Sequence, residues 1–240
     1  MKRQLAAALI ASIVLGPAIP GWAQVPQAVP GNSIDLPHAW PRSGAEKILE
    51  NDRGAMWNID FAEGVGAHWH KHQFEFVGVE LTTSAFTVTN PDGMTHTVAS
   101  PRGKMWILPK GLTHMEKGLT TPGRNILIVD LKDGPSPGYE NKSGEPSGYA
   151  GTQAKLVNDT ARLLQWDVSL SPSVPEKATF HSRDIFICVL DGGRLKVSEP
   201  GKPPELLELK PGVGAFLKGG VVRSLEAVEA TSRLMLVELK

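Results

Sequence analysis

The 240-residue sequence contains a single cysteine, Cys188. A chain with one cysteine cannot form an intrachain disulfide, whatever compartment it occupies. Cys188 lies within the apolar segment 185–190, which favours a buried small hydrophobe over a reactive nucleophile. The sequence therefore offers neither a disulfide framework nor a clear thiol catalyst.

The chain also lacks an excess of either charge and any sustained helical period. It has 25 Lys and Arg residues against 25 Asp and Glu residues, so no net field attracts nucleic acid or anionic lipid, and we expect no nucleic-acid partner. Its 25 glycines and 19 prolines are typical of many short strands joined by turns. Together these features predict an all-β fold.

Long apolar runs are absent after the first residues. The segment from Leu5 to Leu15 is apolar but too short to span a bilayer. It follows a basic Lys-Arg start and precedes a small-x-small ending at Ala23, so residues 1–23 are predicted to be a secretory signal. Lys-Arg, rather than twin arginines, favours export of the unfolded chain. We therefore expect a periplasmic protein without a membrane span. Residues 24–45, rich in Pro and Gly, are predicted to be an N-terminal arm.

Four of the seven histidines lie in two short pieces, residues 64–75 and 103–114. Residues two apart on a strand point to one face with roots about 6.6 Å apart, so both imidazoles of a His-x-His pair can reach one ion. His68 and His72 would be about 13 Å apart and cannot both bind it. The pair is therefore His68 with His70, or His70 with His72, and His114 would add a third imidazole. This pattern predicts a divalent metal site, for which Fe, Mn, Zn, Cu and Ni are candidates.

A carboxylate, Glu75, could close the ligand set. Glu75 has odd parity with His72, so it faces inward only if a turn or bulge intervenes. His38 and His96 have no partner nearby in the sequence, and we interpret them as a loop residue and a surface residue.

The piece at 103–114 resembles the second motif of the cupin superfamily, which runs Gly, five residues, Pro-x-Gly, two residues, His. Gly103, Pro109, Gly111 and His114 match it at every spacing, and Gly118 stands where Asn is usual. The resemblance implies a small antiparallel barrel of the jelly-roll type.

The piece at 64–75 resembles the first cupin motif less completely. The spacing from Gly64 selects His70 and His72, whereas the spacing to Glu75 fits His68 and His70. The run Trp-His-Lys-His at 69–72 is similar to one common in small bacterial cupins, which favours His70 and His72 as the ligand pair.

The second half of the chain repeats the first. Trp57-Asn-Ile-Asp-Phe61 returns as Trp166-Asp-Val-Ser-Leu170, a shift of 166 − 57 = 109 residues, and the ending 129–132 returns at 237–240, one residue out of step. A repeat of this length means two copies of one domain. We therefore predict two cupin barrels in tandem, a bicupin, with barrels at 46–132 and 155–240 joined by a linker at 133–154.

The repeat also tests the site. A shift of 109 carries His70 to Thr179, His72 to His181, Glu75 to Asp184 and His114 to Arg223. Arg has no lone pair for a metal, so the second barrel is predicted to be metal-free, with Arg223, Asp184 and His181 pairing inside it. The recurrence of an acidic residue supports Glu75 as inward-facing.

Two functions fit the sequence. The first is a metal-dependent enzyme that acts on a small chelating organic substrate; resemblance to the cupin dioxygenases implies that Glu75 is both ligand and base. The alternative is a periplasmic module that binds or senses a metal or small ligand without turnover. The sequence does not decide the oligomeric state, and a homodimer is one option.

Overall fold

A computed structural model describes residues 36–134, 137–148, 153–174, 177–208 and 210–240. The predicted signal peptide, residues 1–23, lies outside the described residues, as does the arm up to residue 35. The described residues form eighteen β-strands and no helix, so the predicted all-β class is confirmed. Within these ranges no helix is long and apolar enough to cross a membrane.

The strands fall into two sets of nine. The first nine are β1 (Ala45–Glu50), β2 (Gly54–Phe61), β3 (Gly66–Lys71), β4 (Glu75–Glu80), β5 (Ser84–Thr89), β6 (Thr95–Ser100), β7 (Met105–Leu108), β8 (Thr113–Gly118) and β9 (Arg124–Leu131). The second nine are β10 (Ala154–Asp159), β11 (Leu163–Leu170), β12 (Thr179–His181), β13 (Ile185–Asp191), β14 (Arg194–Ser198), β15 (Glu205–Glu208), β16 (Gly214–Leu217), β17 (Val221–Ala227) and β18 (Ser232–Leu239).

Each set forms a barrel of two antiparallel sheets. In the first barrel a five-stranded sheet has the order β1-β2-β9-β4-β7 and a four-stranded sheet has the order β3-β8-β5-β6. The second barrel repeats both orders as β10-β11-β18-β13-β16 and β12-β17-β14-β15. The tandem jelly-roll architecture predicted from the repeat is therefore confirmed.

The two five-stranded sheets pack face to face. On β9, Leu127 and Val129 belong to an apolar cluster shared with the second barrel, whereas Ile126 and Ile128 belong to the core of the first. A strand with both faces covered reads as a nearly continuous apolar run, because alternate side chains enter two different cores. The shared cluster includes Cys188, which is fully buried; burial raises the pKa of its thiol, as expected for a small hydrophobe.

Two reciprocal ion pairs cross between the barrels. Arg53 Nε lies 3.9 Å from Asp184 Oδ2, and Arg162 Nη1 lies 3.7 Å from Glu75 Oε2. The shift of 109 residues converts one pair into the other, so the barrels are related by an approximate two-fold axis. Glu75 is therefore part of the contact between the barrels.

A segment before the first strand docks onto each barrel. The Pro37 carbonyl accepts a 2.9 Å hydrogen bond from the Lys71 N–H, and the Pro146 carbonyl accepts a 2.7 Å bond from the Phe180 N–H. These two bonds are again 109 residues apart, so the structural repeat extends to positions before β1. We call residues 36–41 the strap.

The shared core makes a testable contribution to stability. Phe186 is fully buried in it, so Phe186→Ala should lower the free energy of unfolding by about 3–5 kcal/mol through lost burial and a residual cavity. Chemical denaturation monitored by tryptophan fluorescence would measure this change. Leu206→Ala is the control, since Leu206 is 52% exposed and its truncation should change stability by less than about 0.5 kcal/mol. Equal midpoints for the two variants would contradict the packing.

Candidate metal centre

Three histidines of the first barrel come together in its interior. His70 lies on β3 directly opposite His114 on β8, and His72 follows the end of β3. All three side chains are buried, with exposures of 4%, 5% and 2% respectively. In the described part of the chain they form the one group of His, Cys, Asp or Glu residues that meets the geometry of a metal site.

The distances between the imidazole nitrogens fit a single ion. His72 Nε2 lies 3.2 Å from His70 Nε2 and 3.4 Å from His114 Nε2. Two nitrogens bound to one ion at roughly 2.1 Å are separated by about 3.0 Å at a right angle and about 3.4 Å at the tetrahedral angle. The cluster therefore has the spacing of a coordination shell.

The protonation of the imidazoles also suits a metal. His70 Nδ1 lies 2.7 Å from the His68 carbonyl oxygen and donates to it, which leaves the lone pair on Nε2. Burial, with the neighbouring His114, lowers the pKa of His70 to about 4. Burial likewise lowers the pKa of His72 and of His114, so all three rings are neutral at pH 7. Neutral imidazoles are the form that binds divalent ions.

His68 takes no part in the cluster through its side chain, which is exposed. The pairing of β3 with β8 explains why. Ala67 pairs with Glu116 and His70 with His114, so three steps on β3 meet two on β8, and the strand carries a β-bulge. The bulge breaks the alternation between residues 68 and 70. Of the two ligand pairs left open by the sequence, the structure brings together His70 and His72.

Glu75 lies outside the cluster, which corrects the prediction that it is a metal ligand and base. It begins β4, opposite Leu131, and its carboxylate lies 3.7 Å from Arg162 Nη1 of the second barrel. The recurrence of acid at Asp184 has the same cause, because Asp184 makes the reciprocal pair with Arg53. The acidic residue recurs at these two positions because each one forms an ion pair across the contact between the barrels.

A different carboxylate, Glu116, lies beside the histidines. Its Oε2 is 4.0 Å from His114 Nε2, and its Oε1 accepts a 3.1 Å hydrogen bond from Arg124 Nη1. Burial opposes ionisation of Glu116, but nearby positive charge, above all that of Arg124, outweighs it and lowers the carboxyl pKa. The signal that could have identified Glu116 is its position two residues after His114 on the same strand, hence on the same face.

Arg124 joins Glu116 to a second buried carboxylate. Its Nη2 donates to Glu80 Oε1 at 2.8 Å and its Nε to Glu80 Oε2 at 3.2 Å. The guanidinium also lies over the Phe86 ring, 3.7 Å from the centroid. Arg124 is therefore committed to two carboxylates of the protein itself.

A cavity of about 300 Å³ opens beside the cluster, between the two sheets of the first barrel. Its walls are mainly apolar and aromatic, and His72, His114 and Glu116 contribute to them. His96, interpreted above as a surface residue, is exposed and also lines this cavity. The other residues that line it include Trp40, Phe76, Phe86, Val88, Val98, Lys104, Trp106, Leu108, Leu112, Ile126 and Ile128.

The equivalent positions of the second barrel hold a different arrangement. Thr179 Oγ1 lies 3.4 Å from His181 Nε2, and Arg223 Nη2 donates to the Lys218 carbonyl at 2.6 Å. The Arg223 backbone hydrogen-bonds the His181 imidazole, as the predicted pairing of these two residues requires, and the Arg223 guanidinium lies 3.3 Å from Glu199.

The carboxylate of Asp184 has its hydrogen-bond partners at the edge of that barrel. Its Oδ1 accepts hydrogen bonds from the Gly219 N–H at 2.8 Å and from the Tyr139 hydroxyl at 3.3 Å. That the second barrel holds no metal stays a prediction.

Comparison with known proteins agrees with this architecture. No protein-family model and no curated protein matches the sequence. Among solved structures, AerE from Microcystis aeruginosa is similar with a TM-score of 0.60 and 10% identity, covering 85% of this chain and 98% of its own. A cupin 2 conserved barrel domain protein from Leptotrichia buccalis has a TM-score of 0.52 and 14% identity, covering 82% and 88%.

Oxalate decarboxylase from Bacillus subtilis, described with Mn(II) centres, is also similar, with a TM-score of 0.55 and 14% identity over 82% of this chain and 75% of its own. At these identities the likeness concerns the fold. The chain therefore has the tandem cupin fold that the resemblance of its motifs implied.

The three imidazoles should be separable from the other histidines by mutation. His70→Ala, His72→Ala and His114→Ala should each weaken binding of Zn²⁺ or Mn²⁺ by more than the roughly 10–100-fold that loss of a residue supporting a ligand costs. Titration against a chromogenic chelator would measure this. His68→Ala and His96→Ala are the controls and should bind like the wild type. Metal loss in His68→Ala together with retention in His72→Ala would indicate the pair His68 and His70.

The buried imidazole of His181 in the second barrel leads to a prediction of how the free energy of unfolding depends on pH. Burial, with the nearby charge of Arg223, lowers the pKa of His181 from 6.5 to about 4. Above pH 6.5 the imidazole is neutral in both folded and unfolded chains; below it the unfolded chain takes up a proton that the folded chain does not. His181 should therefore cost on the order of 3 kcal/mol of stability as pH falls from 6.5 to 4.

The free energy of unfolding measured at several pH values should show this loss, and His181→Gln should flatten the curve over that window. A curve of unchanged slope in His181→Gln would contradict a buried neutral imidazole.

Proposed function

We propose that this protein is an exported, metal-dependent cupin enzyme that acts on a small organic molecule in the cavity of its first barrel. The observation that carries the proposal is the convergence of three buried Nε2 atoms, at 3.2 and 3.4 Å, beside a 300 Å³ cavity that His72 and His114 line. Small-molecule sites are concave and mostly apolar with a few polar groups, and this cavity has that composition. The second barrel supplies the packing partner.

The metal would be held by His70, His72 and His114. Three neutral nitrogen donors suit Fe, Mn, Zn, Cu or Ni, and leave positions for oxygen atoms of a bound molecule. The Mn(II) centres described for oxalate decarboxylase, a bicupin of similar fold, support a divalent ion. When bound, such an ion would supply Lewis-acid polarisation of a substrate oxygen.

The cavity favours a substrate with an apolar body and oxygen donors at one end. Phe76, Phe86 and Trp106 would contact the body, while His72 and His114 mark the end at which the oxygen atoms lie. Arg124 is saturated by Glu80 and Glu116, so it is not the group that binds a substrate carboxylate. A chelating diketone or phenol has this form, and dioxygenase-like oxidation, with O₂ as co-substrate, is the reaction class that we propose.

Glu116 is the carboxylate that would hold a proton during the reaction. It faces the cavity 4.0 Å from His114 Nε2, and its lowered pKa keeps it ionised at neutral pH. Oε2, the oxygen that Arg124 does not contact, would accept a proton from a substrate hydroxyl or enol. Glu116 thus takes the role that the sequence predicted for Glu75.

A non-catalytic binding or sensing module is the second candidate. One observation favours it: Glu116 is held by Arg124 at 3.1 Å, which makes the carboxylate a weaker base. A module that holds a metal or small ligand needs the histidines and the cavity, but no base.

Export to the periplasm is also part of the proposal. It rests on the basic start, the apolar segment and the small-x-small ending of residues 1–23. Mass spectrometry of protein recovered from the periplasm would test it through the mature N-terminus, expected after Ala23.

Glu116→Gln and Glu75→Gln form a matched test of the enzyme proposal. Glu116→Gln should retain its metal but lose turnover by about 10²–10⁴, because the proton acceptor is gone. Glu75→Gln should retain both, since Glu75 contacts Arg162. Metal content and oxygen uptake with a panel of diketones and phenols would measure the two properties.

The opposite pattern, with turnover lost in Glu75→Gln alone, would restore the original assignment of the base. Metal binding without oxygen uptake by the wild type on any member of the panel would favour the binding module.

A further inference from the structure

We propose that the strap, residues 36–41, positions the imidazole of His72 for metal binding, with His38 and Trp40 as positioning residues anchored by Asp130. The inference rests on the proposed metal site. It assigns a role to a segment that showed no periodicity in the sequence, and to a histidine that had no partner there.

His72 is the ligand that the sheets support least. Strand β3 ends at Lys71, so His72 lies just beyond it, and its own N–H donates to the Leu112 carbonyl at 2.9 Å. The strap holds the residues on both sides. The Pro37 carbonyl accepts from the Lys71 N–H at 2.9 Å, and the Gln73 N–H donates to His38 Nδ1 at 3.3 Å. The His72 carbonyl itself accepts from the Gly111 N–H at 2.8 Å, so the turn before β8 holds the backbone of His72 while the strap holds the residues on either side of it.

The ring of His72 depends on packing for its orientation. Its Nδ1 is buried and has no hydrogen-bond partner in the described part of the chain, whereas His70 Nδ1 bonds to a carbonyl. A metal-ligating imidazole is normally oriented by a hydrogen bond to its second nitrogen. Here aromatic contacts take that role: His72 stacks on Phe76 with centroids 3.8 Å apart, and Trp40 meets it edge-on at 5.3 Å.

A single buried carboxylate ties the strap to the barrel. Asp130 Oδ2, on β9, accepts hydrogen bonds from Trp40 Nε1 at 2.6 Å and Trp57 Nε1 at 3.1 Å, and lies 3.3 Å from His38 Nε2. Because His38 Nδ1 accepts from Gln73, its Nε2 carries the proton and donates to Asp130. Both strap side chains near His72 therefore depend on Asp130.

The second barrel separates the role in folding from the role at the site. The segment before its first strand docks with the same backbone bond, from the Phe180 N–H to the Pro146 carbonyl. Docking of such a segment is therefore part of both barrels. Ser147 stands where the first barrel has His38. The histidine occurs in the barrel whose His72 lies in a cluster of three imidazoles, so we assign it to the site rather than to the fold.

Trp40→Phe and Trp57→Phe make a matched pair for the test. Each removes one N–H bond to the same Asp130 oxygen, but Trp40 contacts His72 while the Trp57 ring lies against Trp40. Trp40→Phe, and likewise His38→Ser, should weaken Zn²⁺ binding about 10–100-fold, as measured by competition with a chromogenic chelator. Trp57→Phe should bind Zn²⁺ like the wild type.

Two further measurements separate positioning from general loss of structure. The visible absorption of the Co²⁺-loaded protein should change in Trp40→Phe and His38→Ser and stay unchanged in Trp57→Phe, because it reports the geometry of the ligands. Thermal unfolding of the metal-free proteins should show Trp57→Phe destabilised at least as much as His38→Ser.

The outcomes distinguish this inference from the proposed function. A wild-type protein that binds none of the divalent ions overturns the metal site and this inference with it. A wild type that binds, with affinities and Co²⁺ spectra unchanged in Trp40→Phe and His38→Ser, overturns this inference and leaves the metal site standing. Equal weakening in Trp57→Phe also overturns it, because the effect would then belong to the stability of the barrel.

Discussion

The structure depends on the packing of two five-stranded sheets against each other. Each sheet contributes alternate side chains of its central strands to this contact and the remaining ones to its own barrel, so β9 and β18 are buried on both faces. The contact fixes which side of each barrel faces its neighbour and which side faces solvent. In the first barrel the solvent side is the four-stranded sheet, and its strands β3 and β8 carry His70 and His114. The cavity is thus bounded by one sheet held by the neighbour and one that is not.

Within this frame the two barrels have kept a backbone and diverged in chemistry. The order of strands, the docked segment before the first strand and the ion pairs between barrels all recur. The buried polar positions recur only in part, since His72 returns as His181 but His70 returns as Thr179. His114 is replaced by Arg223, whose charge is matched by Glu199. A buried cation at this point needs an anionic partner, which Glu199 supplies.

The architecture was predictable from the sequence because a repeat with one register carries information over the whole chain. The histidines were identified for a similar reason, since the spacing in each motif is set by neighbouring residues on one strand or turn. The choice between His68 and His72 was harder. It depends on a β-bulge between Ala67 and His70, and straight-strand geometry does not include a bulge.

The errors concern long-range contacts. Glu75 was assigned to the site as the carboxylate that follows the His-x-His pair, with support from the acid that recurs at Asp184. The recurrence instead reflects the pairing of each acid with an arginine of the other barrel. The surroundings of Glu116 are set by its ion pair with Arg124, which also pairs with Glu80, and both of these residues come from other strands. The strap is anchored by Asp130, 90 residues away from Trp40 along the chain. In each case the partner that gives the residue its role is distant in sequence, and local spacing carries no record of it.

The reciprocal pairs Arg53–Asp184 and Arg162–Glu75 have a consequence for how such a chain can arise. In each pair the position that contributes an arginine from one barrel contributes it from the other as well, which is the rule of a self-complementary contact between identical subunits. A single-barrel ancestor with this surface would associate as a symmetric dimer with two sites. Fusion of the two copies makes that association independent of concentration. Once the association no longer requires two identical subunits, one copy can lose its ligands and remain as the packing partner of the other.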